Sequence, residues 1–206
     1  MTDLNKKYSI GTLMANQWEP FNGDGYVCGE FLKLKERFNI TTVVETGTCL
    51  GSTCLWFSRN FDRVITIESN IEYLNVAHKR FKDEALKNIK TELGDSSDVL
   101  YPVLMEEKVM DDTIFFLDAH WANHCPLKQE LEAIHFAGLK PVIAIHDFKV
   151  PDNNELGFDS YHGQDFDLEW IMPELDLIYG EDGWIHYYNS QEFTSGAKRG
   201  IIYIHG

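Results

Sequence analysis

The sequence predicts an α/β fold: a doubly wound, seven-stranded sheet, mostly parallel with one antiparallel strand near the carboxyl terminus and helices on both faces. Up to residue 147, five short apolar runs alternate with helical stretches, the pattern of parallel strands joined by helical crossovers. Two further apolar runs follow late in the chain, and the link between them is too short for a helical crossover. We therefore expect these two to pair antiparallel.

Each element is placed by a local pattern of apolar, glycine and proline residues. The strands are predicted at 41–46, 63–68, 89–93, 113–118, 141–147, 184–189 and 200–205. The helices are predicted at 27–38, 52–60, 71–87, 99–107, 127–137 and 167–173. Pro102 limits where the fourth helix begins, because proline disrupts a helix interior.

The chain is predicted to form one domain over residues 1–206. Residues 1–38 form an amino-terminal cap and helix in this prediction. Residues 149–166 hold one proline, two glycines and several aromatic side chains, without a strand or helix pattern. An insert of this length in a compact domain is often functional, and we expect it to cover the substrate.

Composition limits the partners that the protein can have. A formal net charge of −15 repels phosphate backbones and anionic lipid, so we expect neither nucleic acid nor a membrane as a partner. No apolar run approaches the ~20 residues of a membrane span, and the amino terminus lacks the apolar core of a signal peptide. The four cysteines have no disulfide or metal spacing. We therefore expect a cytoplasmic protein with free thiols.

The rest of the chain is organised around residues 43–53, VVETGTCLGST. A β-branched strand ends at Glu45, Gly47 and Gly51 form a tight turn, and Ser52 can cap the following helix. A dinucleotide site would need G-x-G-x-x-G, and a phosphate loop would need a lysine after the last glycine. The acid before the first glycine instead suits a ligand that carries a positive amine and a sulfonium.

Polar residues follow the ends of all five predicted parallel strands. In chain order they are Glu45 with Gly47 and Gly51, then Glu68, then Asp95 and Ser96, then Asp118 and His120, and finally His146 and Asp147. Parallel α/β sheets bind their ligands at the carboxyl ends of the strands. These residues are therefore expected to form one site.

In this order the residues resemble those of the class I S-adenosylmethionine-dependent methyltransferases, a Rossmann-like family, over roughly residues 40–150 and the terminal strand pair. The resemblance implies that the glycine turn cradles the amino acid part of S-adenosyl-L-methionine, that Glu68 takes the ribose hydroxyls and that Gly94-Asp95-Ser96 lies beside the adenine. The cofactor-binding residues that it implies are Glu45, Gly47, Thr48, Gly51, Ser52, Glu68, Asp95, Ser96 and Asp118.

The segment FLDAHW, residues 116–121, is similar to the catechol-type O-methyltransferases, in which an aspartate at this point binds magnesium. The resemblance implies a divalent metal held by Asp118, His146 and Asp147. Magnesium or manganese is expected, and the histidine ligand shifts the preference towards manganese, iron or zinc. A metal-bound hydroxyl has a lowered pKa and becomes a better nucleophile.

The chain departs from the catechol-type pattern in three places. Ala119 is inserted before the histidine, the lysine that acts as base after Trp121 is missing, and the fifth strand ends in residues 146–147, His-Asp, closer to the Glu-Asp pair of the cephalosporin-biosynthesis and rhamnosyl methyltransferase-like group. His120 or His124 could replace the base, since imidazole titrates near neutral pH. We predict His120.

The sequence thus predicts metal-assisted O-methylation of a small-molecule acceptor. It leaves two alternatives, a metal-dependent hydrolase and a non-catalytic protein that keeps the fold. The hydrolase would use a cluster of Asp118, His120, His124, His146 and Asp147. The acceptor, the metal, transfer to oxygen or to nitrogen and the formation of a homo-oligomer are left open.

Overall fold

A computed structural model gives the fold and describes residues 19–121, 123–190 and 198–206. Residues 1–18 of the predicted amino-terminal cap lie outside the described residues. The helices are a 3-10 turn at Pro20–Gly23, α1 Gly25–Phe38, α2 Ser52–Asn60, α3 Ile71–Asp83, α4 Ser96–Glu106, α5 Leu127–Phe136 and α6 Leu168–Tyr179. The strands are β1 Thr42–Thr46, β2 Arg63–Glu68, β3 Ile89–Leu93, β4 Thr113–Leu117, β5 Val142–His146, β6 Ser160–Tyr161, β7 Gln164–Asp165, β8 Ile185–Tyr188 and β9 Ile201–His205.

The main sheet has seven strands in the order β3-β2-β1-β4-β5-β9-β8. All neighbours from β3 to β5 pair parallel, whereas β9 pairs antiparallel with both β5 and β8. The predicted fold class is therefore confirmed, including the antiparallel strand near the carboxyl terminus. The chain leaves β1 for β2 on one side and later returns to β4 on the other. The gap between the ends of β1 and β4 is thus the switch point at which such sheets bind ligands.

Apolar side chains cover both faces of the sheet. Val43 packs on one face with Phe31 and Phe57 of α1 and α2. Its neighbour Val44 packs on the other face with side chains of α4, α5 and α6, such as Leu131 of α5. Successive residues of a strand point to opposite faces, so a strand that is buried on both faces needs an unbroken apolar run. This explains why β1, β4 and β5 were recognisable in the sequence.

Two helices contain a proline and differ from their predicted bounds. α4 begins three residues before the predicted start, because the Asp95 side chain accepts a hydrogen bond from the Ser97 amide and caps it. Pro102 then lies inside α4. α6 continues past Pro173 to Tyr179, whereas the sequence predicted that it ends at residue 173.

The insert contains no helix. It carries the two-residue strands β6 and β7, which pair antiparallel. Outside this hairpin, Gly157 forms a parallel bridge with Arg199, just before β9. In the described part of the chain, no helix is long and apolar enough to cross a membrane.

Contacts within the protein require glycine at two positions of the turn after β1. Gly47 has a φ of +85°, and a Cβ on it would lie 2.4 Å from the backbone oxygen of Asp118. Gly51 has a φ of +79°, and a Cβ there would lie 2.8 Å from the Phe81 ring. Gly51 is also the residue before α2, without a side-chain cap, so the cap predicted for Ser52 is wrong. Glycine is required here by packing, independently of any ligand.

We predict that Gly47→Ala lowers the free energy of unfolding by roughly 2 kcal/mol or more, because the new Cβ meets backbone and the residue keeps a left-handed φ. Urea denaturation of the full chain measures this. Gly29→Ala is the control, since Gly29 lies in α1 with nothing within 4 Å of its Cβ position, and alanine there should stabilise the helix by about 0.5–1 kcal/mol. Equal midpoints for Gly47→Ala and the unsubstituted protein would contradict the prediction.

Candidate functional site

An open cleft of about 400 Å³ lies over the turn that follows β1. Its wall is formed by the turn, the start of α2 and the segment before α1. The residues that line it are Glu19, Phe21, Asn22, Gly47, Thr48, Cys49, Leu50, Ser52, Thr53 and Asp118. Four of the predicted cofactor residues, Gly47, Thr48, Ser52 and Asp118, are therefore on this wall. The cleft lies at the switch point of the sheet, where the topology predicts a ligand.

Glu68 ties the end of β2 to the turn. Its Oε2 accepts a hydrogen bond from the Cys49 amide (2.7 Å), and its Oε1 accepts one from the Asn70 amide (2.8 Å). Burial raises the pKa of this carboxyl, although the two amides oppose the shift. Each carboxylate oxygen has a second lone pair. Glu68 is therefore fixed beside the turn with acceptor capacity left, although it is not among the residues that line the cleft, and its contact with ribose hydroxyls stays a prediction.

Glu45 lies beneath the turn and is only 1% exposed. The Thr66 hydroxyl donates to its Oε2 at 2.5 Å, and the Thr48 and Thr66 hydroxyls are 2.6 Å apart. Burial raises the pKa of Glu45 to about 8, with further upward contributions from Asp118 and Glu68. Glu45 is thus linked to the turn by hydrogen bonds through the Thr66 and Thr48 hydroxyls. Its direct contact with the cofactor stays a prediction.

The predicted adenine side is formed at the start of α4. Ser96 is buried, whereas Asp95 caps α4 and also pairs with His124, whose Nε2 lies 2.7 Å from Asp95 Oδ2. Burial raises the pKa of Asp95, but hydrogen bonds from Ser97 and His124 outweigh it and lower the pKa. His124 is engaged here and does not join the other histidines, so it is a poor replacement for the missing base.

A second group of polar residues lies beside the cleft, at the ends of β4 and β5. Asp118, His120 and Asp147 each offer one ligand atom, and these atoms all lie within 4.8 Å of one another. Asp118 directly follows β4 and Asp147 directly follows β5, and the two strands are neighbours. Adjacent parallel strands therefore bring the two carboxylates together, as the sequence predicted.

His120 is the centre of this group. Its Nε2 lies 3.1 Å from Asp147 Oδ2, 3.7 Å from Asp118 Oδ1 and 3.9 Å from Asp159 Oδ2. The ring packs edge-on against Phe166, with 4.7 Å between centroids. Burial lowers the pKa of His120, but the surrounding carboxylates outweigh it and raise the pKa above the usual value.

His146, the last residue of β5, is buried beside the same carboxylates. Its Nδ1 lies 3.3 Å from Asp118 Oδ1 and 3.2 Å from Asp147 Oδ1. Burial lowers the pKa of His146, but the two carboxylates outweigh it and raise the pKa well above the usual value. The predicted metal ligands Asp118, His146 and Asp147 are therefore in contact. The three residues whose ligand atoms lie within 4.8 Å of one another are nevertheless Asp118, His120 and Asp147, so His120 takes the place that we predicted for His146.

Two members of the cluster were missed in the sequence. Asp159 of the insert accepts a hydrogen bond from the Tyr161 hydroxyl at 3.1 Å. Arg199, just before β9, donates through Nε to Asp147 Oδ1 and through Nη2 to Asp159 Oδ1. Both residues lie in segments without a recognisable motif, and their contacts join positions 40 and 52 residues apart. Local patterns carry no signal for such pairs.

The charges of the cluster leave room for a divalent cation. Three carboxylates, Asp118, Asp147 and Asp159, lie around His120, and the Arg199 guanidinium contacts Asp147 and Asp159. The raised pKa values of His120 and His146 allow two imidazolium protons to balance the remaining two negative charges, and a divalent cation would take the place of these protons, because metal binding releases protons from its ligands. Carboxylate oxygens and an imidazole nitrogen are a donor set that suits manganese, iron or zinc. The residues present therefore fit a divalent metal at Asp118, His120 and Asp147.

Several solved structures with the same fold are methyltransferases. An O-methyltransferase from Bacillus cereus, in complex with SAH, is 18% identical with a TM-score of 0.61, and the match covers 100% of this chain and 91% of that one. The O-methyltransferase TomG from Streptomyces achromogenes, in complex with SAM, is 16% identical with a TM-score of 0.58, over 86% and 78% of the two chains. An S-adenosylmethionine-dependent methyltransferase from Clostridium acetobutylicum is 12% identical with a TM-score of 0.55, over 84% and 87%.

The chain has the fold of the S-adenosylmethionine-dependent methyltransferases. The Rossmann-like fold that the resemblance implied is thereby confirmed. No protein-family model matches the sequence, and no curated protein matches it either. At these identities the structures establish the fold, and the reaction has to be argued from the site.

We predict that Glu45→Gln changes how stability depends on pH. The pKa of Glu45 is raised from its ordinary value to about 8 in the folded state, so the folded protein binds a proton between these values that the unfolded chain releases. The wild-type protein therefore loses stability as pH rises through this window, on the order of 1 kcal/mol per pH unit. Urea denaturation at pH 5.5 and 8.5 measures this. The free energy of unfolding of the variant, relative to that of the wild type, should be higher at pH 8.5 than at pH 5.5. A constant difference would contradict the raised pKa.

Proposed function

We propose that the chain is an S-adenosyl-L-methionine-dependent methyltransferase that acts on a hydroxyl of a small-molecule acceptor with the help of a divalent metal. The observation that carries the proposal is that Asp118 belongs to two sites. It lines the cleft over the glycine turn, and it also belongs to the group of converging metal donors. One residue therefore joins the cleft over the glycine turn to a metal site, so that a methyl donor and a metal-bound acceptor would be neighbours.

On the cofactor side, each residue has a role that its position supports. S-adenosyl-L-methionine would supply a methyl group on a sulfonium. The Gly47 and Thr48 amides donate to the Ile67 oxygen, and the Thr48 hydroxyl pairs with that of Thr66, so the turn would hold the amino acid part by its shape as a wall of the cleft. Glu68 offers its remaining lone pairs to a diol. Asp95 and Ser96 lie on the predicted adenine side.

On the acceptor side, Asp118, His120 and Asp147 would hold the metal, which lowers the pKa of a bound hydroxyl. His120 serves here as a ligand, because its Nε2 is the atom that faces the carboxylates. The base role that we predicted for His120 then applies only to a form without metal, since one nitrogen cannot serve both purposes. His146 would stay behind Asp118 and Asp147 and hold both carboxylates in place.

The hydrolase alternative is weakened by the position of His124. Its five-residue cluster would need His124 beside His120, whereas His124 pairs with Asp95 at 2.7 Å. A non-catalytic protein with this fold would still bind the cofactor, so turnover of an acceptor decides that alternative. The cytoplasmic location, the absence of nucleic acid or membrane partners and a homo-oligomer stay predictions.

Calorimetric titration with S-adenosylhomocysteine tests the cofactor site. We expect micromolar binding, weakened at least tenfold by Glu68→Gln, because a hydrogen bond to a charged group contributes about 1.5–3 kcal/mol. Glu72→Gln is the matched control, since Glu72 is exposed at the start of α3. Absence of binding to the wild-type protein, or equal losses in the two variants, would overturn the methyltransferase proposal.

The metal is tested separately in the same samples with Mn²⁺. We expect Asp147→Asn to lose Mn²⁺ binding and to keep S-adenosylhomocysteine binding, because Asp147 is not on the wall of the cleft. Asparagine tolerates the left-handed backbone of this position, φ +57°, so the substitution removes charge with little strain. Unchanged Mn²⁺ affinity would remove the metal from the proposal and leave the cofactor site standing.

A further inference from the structure

One guanidinium connects the insert to the end of β5. Arg199 donates through Nε to Asp147 Oδ1 and through Nη2 to Asp159 Oδ1. A backbone hydrogen bond joins the same two residues, since the Asp159 amide donates to the Asp147 carbonyl oxygen at 2.9 Å. The side chain of Arg199 is 28% exposed and that of Asp147 only 16%. This bridge is therefore partly shielded from solvent, where ion pairs are stronger than on an open surface.

The bridge also determines which way the two carboxylates face. Arg199 takes the Oδ1 atom of both. The Oδ2 atom of Asp147 then lies 3.1 Å from His120 Nε2, and that of Asp159 lies 3.9 Å from the same nitrogen. A single planar group with several fixed donors can hold two carboxylates in one defined geometry, whereas a lysine ammonium is a point charge on a flexible stem.

The fold leaves space for this guanidinium at Gly157, and Gly200 lets the segment that carries Arg199 lie close to the Phe148 backbone. A Cβ on Gly157 would lie 2.8 Å from Arg199 Nη1, and a Cβ on Gly200 would lie 2.0 Å from the Phe148 backbone oxygen. The Gly157 amide donates to the Lys198 oxygen at 2.8 Å, and the Gly200 amide donates to the Gly157 oxygen at 2.9 Å. The insert thus docks along the segment that carries Arg199, so the arginine has a defined place.

We propose that Arg199 is a positioning residue for methyl transfer: it locks the insert to β5 and turns the Oδ2 atoms of Asp147 and Asp159 towards His120. The inference rests on the proposed function, because Asp147 is oriented there as a metal ligand. Outer partners of metal ligands commonly change metal affinity by about 10–100-fold when they are removed. Docking of the insert over the acceptor and the geometry of the metal ligands would then depend on the same side chain.

The response to Arg199→Lys separates orientation from charge. If Arg199 acted only as a positive charge beside Asp147, a lysine there would leave cation binding unchanged. If Arg199 orients Asp147, lysine weakens cation binding, because it keeps the charge and loses the planar two-donor contact, and we expect Mn²⁺ binding to weaken at least about tenfold. Arg63→Lys is the matched control, because Arg63 makes a two-donor contact with Glu107 at a distant surface.

The experiment is an electron paramagnetic resonance titration of the full chain with Mn²⁺, with amide hydrogen exchange on the same variants. Arg199→Lys should also speed exchange of the Gly157 and Asp159 amides and leave those of β1 unchanged. Gly157→Ala, which crowds Nη1 and keeps the arginine, should weaken Mn²⁺ binding in the same direction and serves if Arg199→Lys does not fold.

Unchanged or stronger Mn²⁺ binding in Arg199→Lys, or unchanged exchange in the insert, would overturn the proposal. A wild-type protein that binds no Mn²⁺ would also overturn it, since no ligand would then be positioned. Binding of S-adenosylhomocysteine is recorded alongside. Its absence in the wild type would sink the methyltransferase proposal, whereas its presence with unaltered Mn²⁺ affinity would sink only the role of Arg199.

Discussion

The close approach of Gly47 to the end of β4 is the contact on which both parts of the site depend. The Asp118 amide donates to the Thr46 oxygen at 3.2 Å, and the Gly47 amide donates to the Ile67 oxygen at 2.9 Å. The ends of β1, β2 and β4 are thereby held together by backbone alone. With no Cβ at residue 47, the turn that walls the cleft lies directly against Asp118, so the cofactor side and the metal side share one carboxylate.

Much of this could be predicted because the decisive signals are local. A strand buried on both faces must be an apolar run, and a parallel sheet places the polar residues after such runs at one edge. That reasoning put Gly47, Glu68, Asp95, Asp118 and Asp147 on the same side of the molecule before any coordinates were known. Helix starts were less accurate, since an aspartate that caps a helix and one that binds a ligand look alike in sequence.

The contacts between distant segments could not be predicted. Strand order brings β4 and β5 together, but it does not say which histidine joins the converging donor atoms. His146 is the last residue of β5, whereas His120 is brought to the carboxylates by the chain beyond β4, and both side chains are buried. Arg199 lies outside every motif, and only the docking of the insert along residues 198–200 gives it a role.

The negative charge around the cleft discriminates between a dinucleotide and a cationic cofactor, which no single motif does. The charged side chains that line the cleft in the described part of the chain are Glu19 and Asp118, with Glu45 and Glu68 buried directly behind the turn. A dinucleotide would bring its pyrophosphate to this acidic edge and be repelled, whereas a sulfonium and an amine would be attracted. Burial raises the pKa of Glu45 to about 8, so this carboxyl holds a proton near neutral pH and the negative charge of the edge comes from the other acids. The acidic edge as a whole, more than the glycine turn, therefore favours a cationic cofactor.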